Sequence, residues 1–130
     1  MDFTRTGLIL FTAQYEASVA FYRDVLGLPQ LFVLDEPGST LTCLDLGGSY
    51  LMIEPGGPKP RPRKSFAQNP TKLRFNVADV EAAAEALEAK GIVVTRHVYD
   101  WGTTAEFVDP DGNACALRDE ASFGKSLATA

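Results

Sequence analysis

The feature that most constrains this chain is a weak internal repeat at a fixed offset of 64 residues. Gly27 and Gly91 each close an apolar helical pattern, Gly48 and Gly112 each sit in a turn before an apolar run, and both pairs are 64 apart. The same offset lays Ile9 on Leu73, Phe11 on Phe75, Leu28 on Ile92, Thr40 on Thr104, Leu44 on Val108, Asp45 on Asp109 and Ile53 on Leu117. Any one coincidence is weak. A shared offset carried through glycines and apolar positions of both halves implies a duplicated module, and a duplication constrains topology before any single element is assigned.

In the first copy, the unbroken apolar run Leu8 to Phe11 predicts a buried strand over about 5–12. Val19, Phe21, Tyr22, Val25 and Leu26 then recur at helical spacing, with Gly27 as a left-handed cap and Pro29 as a stop. Leu31 to Leu34, Thr40 to Leu46 and Tyr50 to Ile53 follow as strands, separated by the turn clusters 35–39 and 47–49. The second copy repeats the order: strand Lys72 to Val77, helix Val80 to Lys90, and strands Ile92 to Val94, Thr104 to Val108 and Asn113 to Leu117. Between the copies, Pro55, Pro58, Pro60, Pro62 and Pro70 exclude a helix or a central strand. The expected organisation is one domain over 1–130: module one about 5–54, a Pro-rich linker about 55–70, module two about 71–118 and a C-terminal tail 119–130.

Composition narrows the partners. Twelve Lys and Arg against seventeen Asp and Glu give a net charge of −5, which disfavours phosphate backbones and anionic lipid. Neither nucleic acid nor a membrane is an expected partner. No apolar run approaches a membrane span, and Asp2 ahead of a short apolar run is unlike a secretory signal, so a cytoplasmic location is expected. Cys43 and Cys115 lack C-x-x-C spacing and share the chain with one histidine, His97, which leaves no structural zinc site. Both cysteines read as small core residues, and His97 as packed or solvent-facing.

The run Phe21-Tyr22-Arg23-Asp24-Val25-Leu26-Gly27-Leu28 in the first helix, and Phe107-Val108-Asp109-Pro110-Asp111-Gly112-Asn113 in the last hairpin, resemble the vicinal oxygen chelate superfamily. That superfamily includes glyoxalase I, bleomycin resistance proteins, fosfomycin-resistance enzymes and extradiol dioxygenases. The resemblance spans about Arg5 to Arg118. It implies an α+β fold of two tandem βαβββ modules forming a curved mixed sheet with a concave ligand cleft, often as a homodimer. In the enzymes, one His or Glu from the first strand and one from the last strand of each module hold a divalent metal. Carried onto this chain, those four positions fall on Gly7, Met52, Lys72 and Ala116, which do not make a hard-cation site. Glu54, two residues beyond Met52, is the one carboxylate near that register. No metal and no cofactor are therefore expected.

Strand alternation, with the parity of those positions, gives the lining of the cleft. Tyr50, Met52 and Glu54 face it, as do Lys72, Arg74 and Asn76, and Ala114, Ala116 and Arg118, while Leu51, Ile53, Leu73, Phe75, Val77, Cys115 and Leu117 are core. Through the 64-residue offset, Glu106 and Thr42 become counterparts in the cleft. Charges gathered there either pair internally, as Lys72 with Glu54, or serve a ligand. In the second case Arg74 or Lys72 takes an anionic group, or Glu54 or Glu106 acts as a base. Phe32, Tyr50, Phe66, Tyr99 and Trp101 offer planar surfaces for a partly aromatic ligand, against a competing role in core or dimer packing. The basic run Lys59, Arg61, Arg63 and Lys64 reads as a solvated linker.

The leading expectation is a metal-free protein of the bleomycin-resistance-like branch that sequesters a small molecule. Two enzyme readings stand beside it. One is a metal-dependent lyase, isomerase or dioxygenase, and the other a metal-independent acid/base enzyme using Glu54 or Glu106 with Arg74.

Overall fold

The computed structural model describes every residue from Met1 to Ala130. The chain forms two compact units, Met1–Arg61 and Pro62–Ala130, that divide within the Pro-rich segment. The first unit contains β1 (Gly7–Thr12), α1 (Tyr15–Val19) continued by a π-helical segment (Ala20–Val25), β2 (Gln30–Glu36), β3 (Ser39–Asp45) and β4 (Tyr50–Pro55). The second contains β5 (Leu73–Val77), α2 (Val80–Ala89), β6 (Thr95–Tyr99), β7 (Gly102–Val108), β8 (Ala114–Asp119) and α3 (Glu120–Thr129). Each unit builds one open four-stranded sheet, in the orders β1-β4-β3-β2 and β5-β8-β7-β6. The first and last strands pair in parallel, and the other pairs are antiparallel. The fold is α+β with two tandem modules of one topology, as the repeat requires.

The helices follow from local chemistry. Asp79 caps α2, its carboxylate accepting the Ala82 N–H at 3.0 Å, and Val80, Ala84 and Leu87 form the apolar stripe buried against the sheet. In the first unit the ladder widens after Val19, so that the Leu26 N–H donates to the Phe21 carbonyl, five residues back, at 2.9 Å. Both Phe21 and Tyr22 are thereby buried, with rings edge-to-face at 5.0 Å. Gly27, at φ 78°, then closes the helix by letting the Leu28 N–H reach the Tyr22 carbonyl at 3.1 Å.

The turn Asp109-Pro110-Asp111-Gly112-Asn113 is a hydrogen-bonded hub. Asp109 Oδ1 accepts the N–H groups of Asp111 and Asn113, and Oδ2 accepts the Asn113 amide, each at 2.9 Å and buried. Asn113 Oδ1 in turn accepts Lys64 Nζ at 2.8 Å and Asn69 Nδ2 at 2.9 Å. The segment after the unit boundary is thus tied down, and Lys64, read from sequence as part of a solvated run, is a structural anchor.

Two other sequence expectations need correction. The second strand of the second copy is Thr95–Tyr99 rather than Ile92 to Val94. Its register is set by a two-residue turn, Asp100-Trp101, which places Tyr99 opposite Gly102 and Thr95 opposite Glu106. Thr42 is not the counterpart of Glu106. Four residues separate the paired Asp45 and Tyr50, whereas five separate Val108 and Ala114, so the offset falls by one at β3 and the faces exchange. Thr42 pairs with Ile53, is buried on the helix side and shares a hydrogen bond with Tyr15, while Cys43, buried as expected, pairs with Met52 on the opposite face. The segment 119–130, to which the sequence pattern assigned no element, is largely helical, since the Asp119 carboxylate caps α3 by accepting the Ser122 N–H at 2.8 Å.

Removing the hub should be costly. Asp109→Ala leaves buried N–H donors unpaired and should lower the unfolding free energy by about 3 kcal/mol in urea titrations. Asp45→Ala, which loses only exposed bonds to Gly47 and Gly48, should lose less than about 1 kcal/mol. Equal losses would count against the hub.

Candidate functional site

In the second unit the register decides which side chains share a face. Arg74 stands opposite Ala116 and Asn76 opposite Arg118, while Glu106 pairs with Ala116, Thr104 with Arg118 and His97 with Thr104. Their neighbours in the alternation face α2: Arg96, beside Ala105, reaches Glu81 at 2.7 Å and Glu88 at 2.6 Å. The other face is therefore turned away from α2. On it, Lys72 pairs with Glu106 at 3.0 Å, not with Glu54, and the Asn76 amide donates to Glu120 at 3.2 Å.

A stack of rings crosses the same face. Tyr99 lies on Trp101 with centroids 4.8 Å apart and planes within 8°, and His97 lies on Tyr99 at 5.8 Å. The Arg118 guanidinium is 4.6 Å from the Trp101 centroid and 5.1 Å from that of Phe123 in α3, and Arg74 approaches Trp101 at 5.9 Å. Neither arginine has a carboxylate partner. Arg118 is 8% exposed, and its side chain makes one hydrogen bond, from Nη2 to the Trp101 carbonyl at 3.4 Å. Its Nε, and the nearby Thr104 Oγ1, are buried without a partner.

Behind Trp101, a pocket of about 450 Å³ is lined by Tyr99, Trp101, Thr103, Asp119, Ser122 and Lys125. Asp119 organises it, accepting the Thr103 N–H at 2.7 Å as well as that of Ser122. These donors hold its carboxyl well below the ordinary 3.8, at about 2. Gly102, at φ 152°, is needed here because a Cβ would press on Asp119 Oδ1 and the Ser122 hydroxyl.

The first unit offers a different face. Gly7, Ile9 and Phe11 on β1 align with Tyr50, Met52 and Glu54 on β4. A pocket of about 640 Å³ is lined by Arg5, Leu31, Phe32, Cys43, Tyr50 and Met52, among others. Burial pushes the Cys43 thiol up despite the charge of Arg5, so Cys43 is no ready nucleophile. Glu54 is half-buried, with neither a hydrogen bond nor an ion pair. Of the other aromatic candidates, Phe32 lines this pocket, while Phe66 is 87% exposed.

The positions that would hold a divalent metal do not fit one. A Cβ on Gly7 would overlap the Tyr50 ring, which fills that place, and Met52 presents a thioether. Lys72 brings an ammonium already bound to Glu106, and Ala116 a methyl group. No three His, Cys, Asp or Glu side chains are grouped to hold a metal ion.

Sequence reasoning placed Arg74, Asn76, Ala116 and Arg118 on one face but missed that Trp101 folds back over Arg118 and that Phe123 completes the sandwich. Phe123 lies in a short helix that contains Gly124 and has no apolar stripe, so periodicity gave no sign of it. The two-residue turn before Gly102 was the available clue to Trp101.

This fold, with these two sheet faces, is that of a known family. A model of the Glyoxalase/Bleomycin resistance protein/Dioxygenase superfamily matches residues 4–117, and the chain belongs to that superfamily. It is 31% identical over 113 residues to the uncharacterized protein YraH of Bacillus subtilis, covering 80% of this chain and 88% of that protein. A lactoylglutathione lyase from Agrobacterium tumefaciens is similar in structure, with TM-score 0.69, 26% identity and coverage of 92% of this chain and 95% of the other. TnmS3, an antibiotic binding protein from Streptomyces sp. CB03234, has TM-score 0.73 and 20% identity, covering 92% of this chain and 98% of its own, and shares the fold.

The Asp119 cap should give the protein an acid-sensitive step. Because the carboxyl is depressed in the folded state, its contribution is complete above about pH 4 and is lost as pH falls through about 2. Asp119→Asn should unfold at a lower temperature than wild type at pH 7, with the gap closing between pH 4 and pH 2. A gap independent of pH would refute the assignment.

Proposed function

We propose that this chain binds and sequesters a small, partly aromatic molecule without a catalytic metal. The observation that carries the reading is that the open sheet faces display rings and cations where the superfamily's enzymes need metal donors. Tyr50 over Gly7 and the Lys72–Glu106 pair occupy two of the positions, and Met52 and Ala116 supply neither nitrogen nor oxygen. The fold shared with an antibiotic binding protein agrees with such a role. Candidate contacts are Tyr50, Met52 and Glu54 in the first unit, and Lys72, Arg74, Asn76, Trp101, Glu106 and Arg118 in the second. The reading includes a cytoplasmic homodimer. Ile9, Phe11, Leu31 and Phe32, each about half exposed, are apolar surface of the kind a second copy covers.

One observation favours a second reading, a metal-independent acid/base enzyme: Glu54 is a carboxylate on the sheet face that no neighbour restrains. Glu106, held by Lys72, is the weaker base candidate. Glu54→Gln separates the two readings, since a passive binder keeps most of its affinity and an enzyme of this kind loses turnover.

The first test is metal retention. After incubation with Ni, Mn, Zn and Fe(II) and dialysis, plasma mass spectrometry should find each metal far below one equivalent per chain. Near-stoichiometric retention of any one would overturn the reading in favour of a metal-dependent lyase or dioxygenase.

A further inference from the structure

Arg118 is an anomaly. An arginine more than nine-tenths buried ordinarily has a carboxylate beside it, because an unpaired charge out of water is costly. Here three neighbouring carboxylates are engaged elsewhere, Glu106 with Lys72, Glu120 with the Asn76 amide, and Asp119 with the N–H groups of Thr103 and Ser122, and Asp100, exposed in the turn, makes no ion pair with Arg118. The two rings that sandwich Arg118 offset part of the cost through their faces, but they leave its in-plane N–H groups unanswered.

The unanswered groups lie on one edge. Nε and Nη2 form the side of a guanidinium that takes two oxygens of a carboxylate or phosphate at once. Nε has no partner, and Nη2 has only the stretched 3.4 Å bond to the Trp101 carbonyl. Thr104, opposite Arg118 on the adjacent strand, adds a buried hydroxyl that also lacks a partner. Arg74, likewise without an ion pair, approaches the same indole from β5. Two unpaired cations thus meet at one ring, with a free hydroxyl opposite one of them on the adjacent strand, in a chain whose net charge is −5.

We propose that Arg118, Thr104 and Arg74 form a subsite for an oxyanion, and that the ligand is a planar molecule bearing a carboxylate or a group of like charge. This rests on the small-molecule reading above and deepens it by naming the ligand class. The anionic group takes the Nε–Nη2 edge of Arg118 and accepts from the Thr104 hydroxyl. Trp101, 45% exposed on a two-residue turn, yields its weak carbonyl contact, and the exposed edges of its ring and of Tyr99 border the planar body. Arg74 adds a second positive charge from the exposed side.

A matched pair of probes tests this: 2-naphthoate and the uncharged 2-naphthamide, each titrated by calorimetry, with the fluorescence of the only tryptophan as the local report. The acid should bind about 10-fold more tightly than the amide. Arg118→Gln should bring the two affinities to near equality. Arg74→Gln, at an exposed position where folding is not at stake, should reduce the preference by about 3-fold. Thermal unfolding of Arg118→Gln shows whether its loss is local, and the Arg74 variant carries the test if that protein does not fold. Equal binding of acid and amide by wild type, or a preference unchanged in the folded variants, would overturn the anion subsite and leave the small-molecule reading standing. Binding of neither probe at millimolar concentration would overturn both.

Discussion

Everything that positions the candidate site depends on the parallel pairing of the first and last strands in each unit. Gly7 beside Tyr50 and Arg74 beside Ala116 are consequences of one register, repeated in both sheets. In a pleated sheet the register also sorts the faces, so the pairing that sends Leu51, Ile53 and Leu117 toward the helices must send Met52, Glu54 and Arg118 the other way. A one-residue slip would bury Arg118 among the side chains of α2 and expose Leu117. The core therefore selects the register, and the register selects the chemistry of the open face.

This explains which parts of the structure were legible in the sequence. The cores of both units are built from apolar residues at strand and helix spacing, and the glycine caps mark where each helix stops, so the order of elements follows from pattern, while the facing of β4, β5 and β8 needed strand alternation together with the parity that the family resemblance implies. The repeat was less reliable at β3, because an offset counts residues, whereas a sheet counts register. One extra residue in the buried Asp109 turn, absent from the more open Asp45 turn, was enough to exchange Thr42 and Cys43 between faces. The Arg118 sandwich escaped for a different reason. It joins a hairpin turn, a strand and a terminal helix, and no short-range periodicity encodes that meeting.

The two units have used the same topology for different surfaces. In the first, the open face is apolar, with Ile9, Phe11, Phe32 and Met52 around a glycine that admits the Tyr50 ring. In the second it is cationic and aromatic, with Arg74, Arg118, His97, Tyr99 and Trp101. Alternation separates these surfaces from the cores by a single residue along each strand, so a side chain on the open face can change without altering one that supports folding. A metal-binding face can be replaced by a ring-lined one in the same way, with Ala116 standing where a ligand is expected and Cys115 and Leu117 still filling the core on either side of it.

A charge kept in such a face must nevertheless be accommodated. Lys72 and Arg96 are satisfied by carboxylates on their own unit, and being partly exposed they contribute little to stability. Arg118 differs in being buried and in having ring faces for neighbours in place of acids. Two stacked rings hold a guanidinium in place by its faces while leaving its edge free, whereas a carboxylate would occupy that edge and neutralise it. If the arginine served only to fill space between Trp101 and Phe123, an aliphatic side chain would do so without the desolvation cost. Retaining a cation there, with its bidentate edge unoccupied and a hydroxyl beside it, is an arrangement suited to receiving a negative charge from outside the protein.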